Sequence, residues 1–175
     1  MKPVERLRRA IRDVPDFPKP GILFKDITPL LGDPECLRLA LDLFEERWRP
    51  ERVEAVCAIE SRGFILGGAL ADRLGAGFVP LRKPGKLPSR VRRVEYALEY
   101  GTDALEIHED ALRRGQRALV LDDVLATGGT AAAACRLVTE AGAPVIGVAF
   151  LVNLRFLNGA AKLPKVPQQF LLEFD

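Results

Sequence analysis

The chain has 175 residues, 48% hydrophobic and 29% charged, the proportions of a globular protein long enough to bury a core without disulfides or a structural metal. Its 26 basic and 24 acidic residues leave a formal charge of +2, so there is no electrostatic call for nucleic acid or an anionic membrane as partner, and no apolar run approaches the ~20 residues that span a bilayer. The three cysteines (Cys36, Cys57, Cys135) are far apart and His108 is the only histidine, which argues against a disulfide framework, a zinc site and Ser-His-Asp chemistry and makes a reducing cytoplasm the expected location.

The basic N-terminus leads into no continuous apolar stretch and does not read as a signal peptide. Residues 3–12 place Val4, Leu7 and Ile11 at helical spacing. Residues 13–21 contain Pro15, Pro18 and Pro20 and must form an extended or ordered connection. A second helix is expected from Asp33, with Asp33 as N-cap, Pro34 in the first turn and Leu37, Leu41, Phe44 and Trp48 on one face.

Beyond residue 52 the pattern changes. Residues 53–59 form a short, nearly continuous apolar run, as expected of a parallel strand covered on both faces. A helix over 63–74, a strand over 77–82, a strand over 117–123, a helix over 129–141 stopped by Gly142, and strands over 144–152 and 169–174 complete the series. This alternation predicts an α/β fold: a largely parallel central sheet with flanking helices in a single domain, 1–175. Between Arg82 and Arg117 no crossover helix is convincing. There Val94, Tyr96, Leu98 and Tyr100 alternate with Glu95, Ala97 and Glu99, a strand's period, which suggests a β-hairpin excursion that acts as a lid.

The most informative stretch is a buried strand ending in Asp122-Asp123, then Ala126-Thr127-Gly128-Gly129-Thr130, then a helix of small residues. In an open α/β sheet this loop lies beyond the carboxyl end of its strand, where ligands bind. Its glycines admit a phosphate close to the backbone, its threonines add donors and the helix dipole favours an anion. The two acids suit vicinal sugar hydroxyls better than a phosphate; a structural turn with two solvated acids is the alternative. No GxxxxGK[ST] stands anywhere in the chain, which argues against a Walker loop.

Residues 120–130 resemble the motif by which type I phosphoribosyltransferases bind phosphoribosyl pyrophosphate (PRPP). That resemblance implies the type I fold. It also implies that residues 126–130 hold the 5′-phosphate, that Asp122 and Asp123 hold the ribose hydroxyls, and that Mg²⁺ arrives on the substrate with no metal bound directly by the protein. Ile59-Glu60-Ser61-Arg62-Gly63-Phe64 resembles the same family's pyrophosphate loop, with Ser61 and Gly63 as backbone donors, Arg62 as a charge and a cis peptide at Glu60-Ser61. Arg82, Lys83 and Lys86 follow the next strand, where they meet the same polyanion or simply form a solvated face. Glu60 stands where many members of the family carry Asp, a difference expected not to matter to the chemistry.

Two further segments resemble the adenine phosphoribosyltransferases in particular. Tyr96-Ala-Leu-Glu-Tyr100-Gly101 is similar to their flexible catalytic loop, which implies a lid over 87–101 and a catalytic role for Glu99 toward the purine imidazole nitrogens, beside Arg62 on the leaving group. Residues 17–30 are similar to their N-terminal hood, here 1–33. This implies that Phe24 stacks on adenine while the backbone of Leu23 and Lys25 reads its Watson–Crick edge; on its own, Phe24 reads first as a core aromatic. The implied reaction is adenine plus PRPP giving AMP plus pyrophosphate, in purine salvage, by a homodimer. A ligand-sensing regulator built on the same fold is the rival from another class, and it lacks an evident DNA-binding segment in this sequence.

Overall fold

The computed structural model describes residues 2–97 and 101–175. The chain divides into two compact units, Met1–Leu43 and Phe44–Asp175.

In the first unit, α1 (Pro3–Arg9) is followed by β1 (Arg12–Pro15) and β2 (Leu23–Asp26), which pair antiparallel with Val14 opposite Phe24. The intervening turn is closed by Asp16, whose carboxylate accepts the Gly21 N–H at 2.7 Å. The short helix α2 (Thr28–Gly32) carries no sequence signature, because five residues are too few to show a period. Its start is held by Asp26, which accepts the Thr28 N–H at 2.8 Å. Hydrogen bonds from the Thr28 side chain and backbone, then from Arg12, hold the Asp26 carboxyl down at about 2. Helix α3 (Pro34–Trp48), whose last residues belong to the second unit, begins as expected, with Asp33 accepting the N–H groups of Glu35 (2.8 Å) and Cys36 (3.2 Å).

The second unit is built on a five-stranded, all-parallel sheet in the order β4-β3-β7-β8-β9. Its strands are β3 (Ala55–Ile59), β4 (Gly77–Leu81), β7 (Ala118–Leu125), β8 (Val145–Leu154) and β9 (Gln168–Phe174). All of β3 and the first four residues of β7 are buried, which is why they read as unbroken apolar runs. Helix α4 (Gly63–Leu74) connects β3 to β4, and α5 (Gly129–Glu140) connects β7 to β8. The chain moves from β3 outward to β4, then returns to the other side of β3 with β7. The crevice beyond the carboxyl ends of β3 and β7 is therefore the switch point where ligands bind in such sheets.

Between β4 and β7 the chain forms the antiparallel pair β5 (Val91–Ala97) and β6 (Thr102–His108). The alternation over 91–100 marks only β5; the second strand of the hairpin, β6, shows no such period in the sequence. Its Ala104-Leu-Glu-Ile107 run is buried throughout, acid included, because the Glu106 carboxylate accepts the Gly85 N–H at 3.0 Å. A buried acid inside a strand masks the strand's pattern. Val94, Leu105 and Ile107 join Ala134, Leu137 and Val138 in one core cluster, so the body of the hairpin is packed on α5. An isolated bridge between Arg82 and Glu106 joins β6 to the end of β4.

Candidate active site

Two turns open at the β3/β7 switch point. The first, Glu60-Ser61-Arg62, links β3 to α4 and contains the cis peptide Glu60-Ser61. The second, Ala126-Thr127-Gly128, links β7 to α5. The earliest bond of α5 runs from Ala132 N–H to the Gly128 carbonyl at 2.9 Å, so the N–H groups of residues 129–131 lie ahead of it at the positive end of the helix. Gly128 takes a left-handed φ of 80°, which a side chain disfavours.

The acids at the end of β7 tie the two turns together. Successive strand residues leave opposite faces, yet both carboxylates meet the 60–63 turn. Asp123 pairs with the Arg62 guanidinium. Asp122 lies so near Gly63 that a Cβ on Gly63 would stand 2.7 Å from its Oδ1 and 3.3 Å from its Cα. Asp122 Oδ1 also accepts the Asp123 N–H at 2.8 Å. Burial first, and the charge of Asp123 second, push the Asp122 carboxyl well above the usual carboxylate range despite the opposing effect of Arg62.

The cations expected to meet pyrophosphate are held by partners the sequence did not reveal. The Glu60 carboxylate accepts from Arg82 Nε at 2.8 Å and from the Lys83 N–H at 3.0 Å. Glu60 therefore orients the basic segment after β4, a role not expected of it. The Lys83 ammonium pairs with Asp103 and donates to the Tyr96 hydroxyl at 2.9 Å. Burial lowers its pKa, but Asp103 and Tyr96 outweigh that and raise it overall. The Tyr96 hydroxyl also accepts from Thr130 Oγ1 at 3.3 Å, so one tyrosine of the hairpin joins the basic segment to the start of α5. Lys86 makes no ion pair among the described residues. Only contacts across long sequence separations reveal Glu60, Tyr96 and Asp103 as positioning groups.

In the first unit, Leu23, Phe24 and Lys25 lie on β2. Phe24 packs edge-to-face with the half-exposed Phe17 at 5.2 Å, and Lys25 pairs with Asp13 at 2.6 Å. Phe24 is thus neither a fully buried core residue nor isolated. Glu99 lies outside the described residues. Among the described residues no group of three or more His, Cys, Asp or Glu side chains is placed to hold a metal ion, and no helix is long and apolar enough to cross a membrane.

An open parallel sheet whose switch point carries an acid pair between two turns that each open a helix has the layout of a phosphoribosyltransferase, and the family model described as the phosphoribosyl transferase domain matches residues 33–166. An adenine phosphoribosyltransferase of Anaeromyxobacter dehalogenans is 58% identical over 171 residues, covering 98% of this chain and 99% of that one. The crystal structure of adenine phosphoribosyltransferase from Rhodothermus marinus superposes with a TM-score of 0.94 at 55% identity, over 98% of both chains. That of the Saccharomyces cerevisiae enzyme, complexed with an imino-altritol bisphosphate and adenine, superposes with a TM-score of 0.93 at 38% identity, over 97% of this chain and 98% of that one. The chain belongs to the adenine phosphoribosyltransferase family.

Proposed function

We infer that this chain joins adenine to PRPP, forming AMP and releasing pyrophosphate, a step of purine salvage. The observation that carries the reading is the meeting of Asp122 and Asp123 with the 60–63 turn at the switch point, directly before the 126–130 loop. A ligand with a terminal phosphate, vicinal hydroxyls and a second polyanion matches those groups in order. In this reading residues 126–130 hold the 5′-phosphate, and Asp122 and Asp123 accept from the ribose hydroxyls. Ser61, Arg62, Gly63, Arg82, Lys83 and Lys86 take the pyrophosphate.

Bond breaking at the anomeric carbon runs ahead of bond making, with inversion. The protein's main task is then to stabilise a departing polyanion. Arg62 acts on that leaving group, and its pairing with Asp123 fixes its place relative to the sugar. Mg²⁺ carried in on PRPP would neutralise part of the pyrophosphate charge. Residues 87–101, with the body of β5 packed on α5, cover the reacting atoms and exclude water, with Glu99 acting on the purine as a general base or as the group that holds its reactive tautomer. Phe24 stacks on the base, and the backbone of Leu23 and Lys25 distinguishes an exocyclic amine from an oxo group, because an oxo-purine leaves buried polar groups unpaired. The active form is a homodimer in the cytoplasm. The exposed apolar side chains of Ile65 and Phe78 support the first point, and the three free, buried cysteines support the second. The direct test is pyrophosphate release in the presence of Mg²⁺: it should require adenine and PRPP together, and release from PRPP alone at the same rate would make the chain a hydrolase instead.

The raised Asp122 carboxyl gives a pH prediction. Only the ionised form accepts from both ribose hydroxyls, so protonation weakens PRPP binding. The KM for PRPP should therefore rise on acidification while the pH is still above the ordinary carboxylate value of about 4. PRPP titrates too, so the comparison is with Asp122→Asn, whose KM should be high already and lack that limb. Identical pH profiles for the two proteins would remove Asp122 from sugar binding. In the free protein the sign is opposite: a raised carboxyl contributes stability at low pH that is lost as pH rises through its folded value.

A further inference from the structure

The 126–130 loop has a rear wall that neither its motif nor its helix supplies. The crossover from β8 to β9 brings Gly159 against it, back to back with Gly128. A Cβ on Gly128 would overlap the Gly159 carbonyl oxygen and stand 2.9 Å from the Gly159 Cα. In the reverse direction, a Cβ on Gly159 would overlap the Ala126 carbonyl oxygen and stand 2.8 Å from the Gly128 nitrogen. These are backbone atoms, which cannot swing aside as the end of a side chain can.

The wall is itself fixed. Asn158 turns the chain with a left-handed φ of 51°, donates its N–H to the Arg155 carbonyl at 2.9 Å and accepts the Ala161 N–H at 3.3 Å. Four residues after Gly159, Leu163 is buried in the core cluster that also holds Ala131 and Ala134 of α5. The segment is thus anchored to the same helix whose N-terminus faces the ligand, and it cannot retreat without disturbing that packing.

We propose that Gly159 is a positioning residue for the phosphate loop: its missing side chain lets the β8–β9 crossover set the height of the Ala126–Gly128 backbone, and so the reach of its N–H groups to the 5′-phosphate. This rests on the reading of residues 126–130 as the 5′-phosphate site. Gly159 does not itself have a left-handed φ, so alanine there adds bulk without backbone strain, and its effect reports displacement of the loop.

The test is calorimetric titration of the full-length protein with ribose 5-phosphate and, separately, with pyrophosphate and Mg²⁺. Gly159→Ala should weaken ribose 5-phosphate by roughly tenfold or more and leave pyrophosphate within about twofold. Gly68→Ala, whose Cβ would meet open space, should change neither. Equal loss of both ligands would mean a general structural role, and an unchanged ribose 5-phosphate affinity would mean that the wall does not set the loop; either overturns the proposal. Failure of the unsubstituted protein to bind ribose 5-phosphate would instead overturn the reading of the loop itself, and the proposal with it. If Gly159→Ala does not fold, Asn158→Ala, which disfavours the left-handed turn without adding an atom at the contact, should give the same selective loss at a smaller size, a few-fold; no selective loss there overturns the proposal equally.

Discussion

Gly128→Ala is expected to lower kcat/KM for PRPP by at least ~30-fold, the equivalent of about 2 kcal/mol of lost binding. Two independent costs fall on the same atom. The left-handed φ of 80° costs an L-residue roughly 1–2 kcal/mol, and the added methyl meets the backbone of Gly159, where overlap costs about 1–3 kcal/mol. The loop relieves both by moving, and movement withdraws its N–H groups from the 5′-phosphate. Most of the loss should therefore appear in the KM for PRPP, with the KM for adenine little changed. Steady-state kinetics with each substrate varied in turn decides it; an unchanged KM for PRPP would show that the 126–130 backbone does not hold the phosphate.

Glu99→Gln is expected to act on the other side of the reaction. Bond formation at N9 requires the base to lose a proton, and a positioned carboxylate contributes typically 10²–10⁴-fold to such a step. Glutamine keeps the shape of the side chain and removes its basicity, so kcat should fall ~10²-fold while PRPP affinity, measured by titration, is retained. Much of the rate enhancement should survive because charge stabilisation at the leaving pyrophosphate does not depend on Glu99. Full kcat in the variant would exclude the carboxylate from proton handling. Loss of PRPP affinity in parallel with kcat would point to a lid that has lost its fold.

How far the fold was legible follows from how its parts are stabilised. Strands β3, β7 and β8 are covered on both faces, and burial on both faces writes itself into the sequence as a continuous apolar run. Helix α4 was legible to the residue, since its start after Arg62 and its left-handed stop at Gly75 are local signals. What the sequence concealed depends on partners far along the chain. Strand β6 hid because Glu106 is buried in it, satisfied by the Gly85 N–H. The same holds within the site. Loop 126–130 and the acid pair are contiguous and carry a motif, so they stood out. Glu60, Tyr96, Asp103 and Gly159 are separate residues whose roles exist only once β4, the β5–β6 hairpin and the β8–β9 crossover are folded around that motif. Residue types alone give no reason to prefer Glu60 over any other acid, or Gly159 over any other glycine.

Base selection is where the proposed site makes its sharpest claim. Both loops of the switch point are indifferent to the base, and a relative acting on an oxo-purine would need every one of their features. In the proposed function, discrimination falls to β2 (Leu23–Asp26), with the backbone of Leu23 and Lys25 expected to supply one acceptor and one donor beside the Phe24 ring. A site built this way rejects a base of reversed polarity by leaving its own groups unpaired, which is worth more than a missing contact.

The measurement that tests this most directly is a competition: PRPP and Mg²⁺ with adenine, hypoxanthine and guanine at equal concentration in one reaction, and the nucleotide products separated. AMP should form, with IMP and GMP absent at matched conversion. IMP or GMP at a rate comparable to AMP would contradict selection of the base by β2.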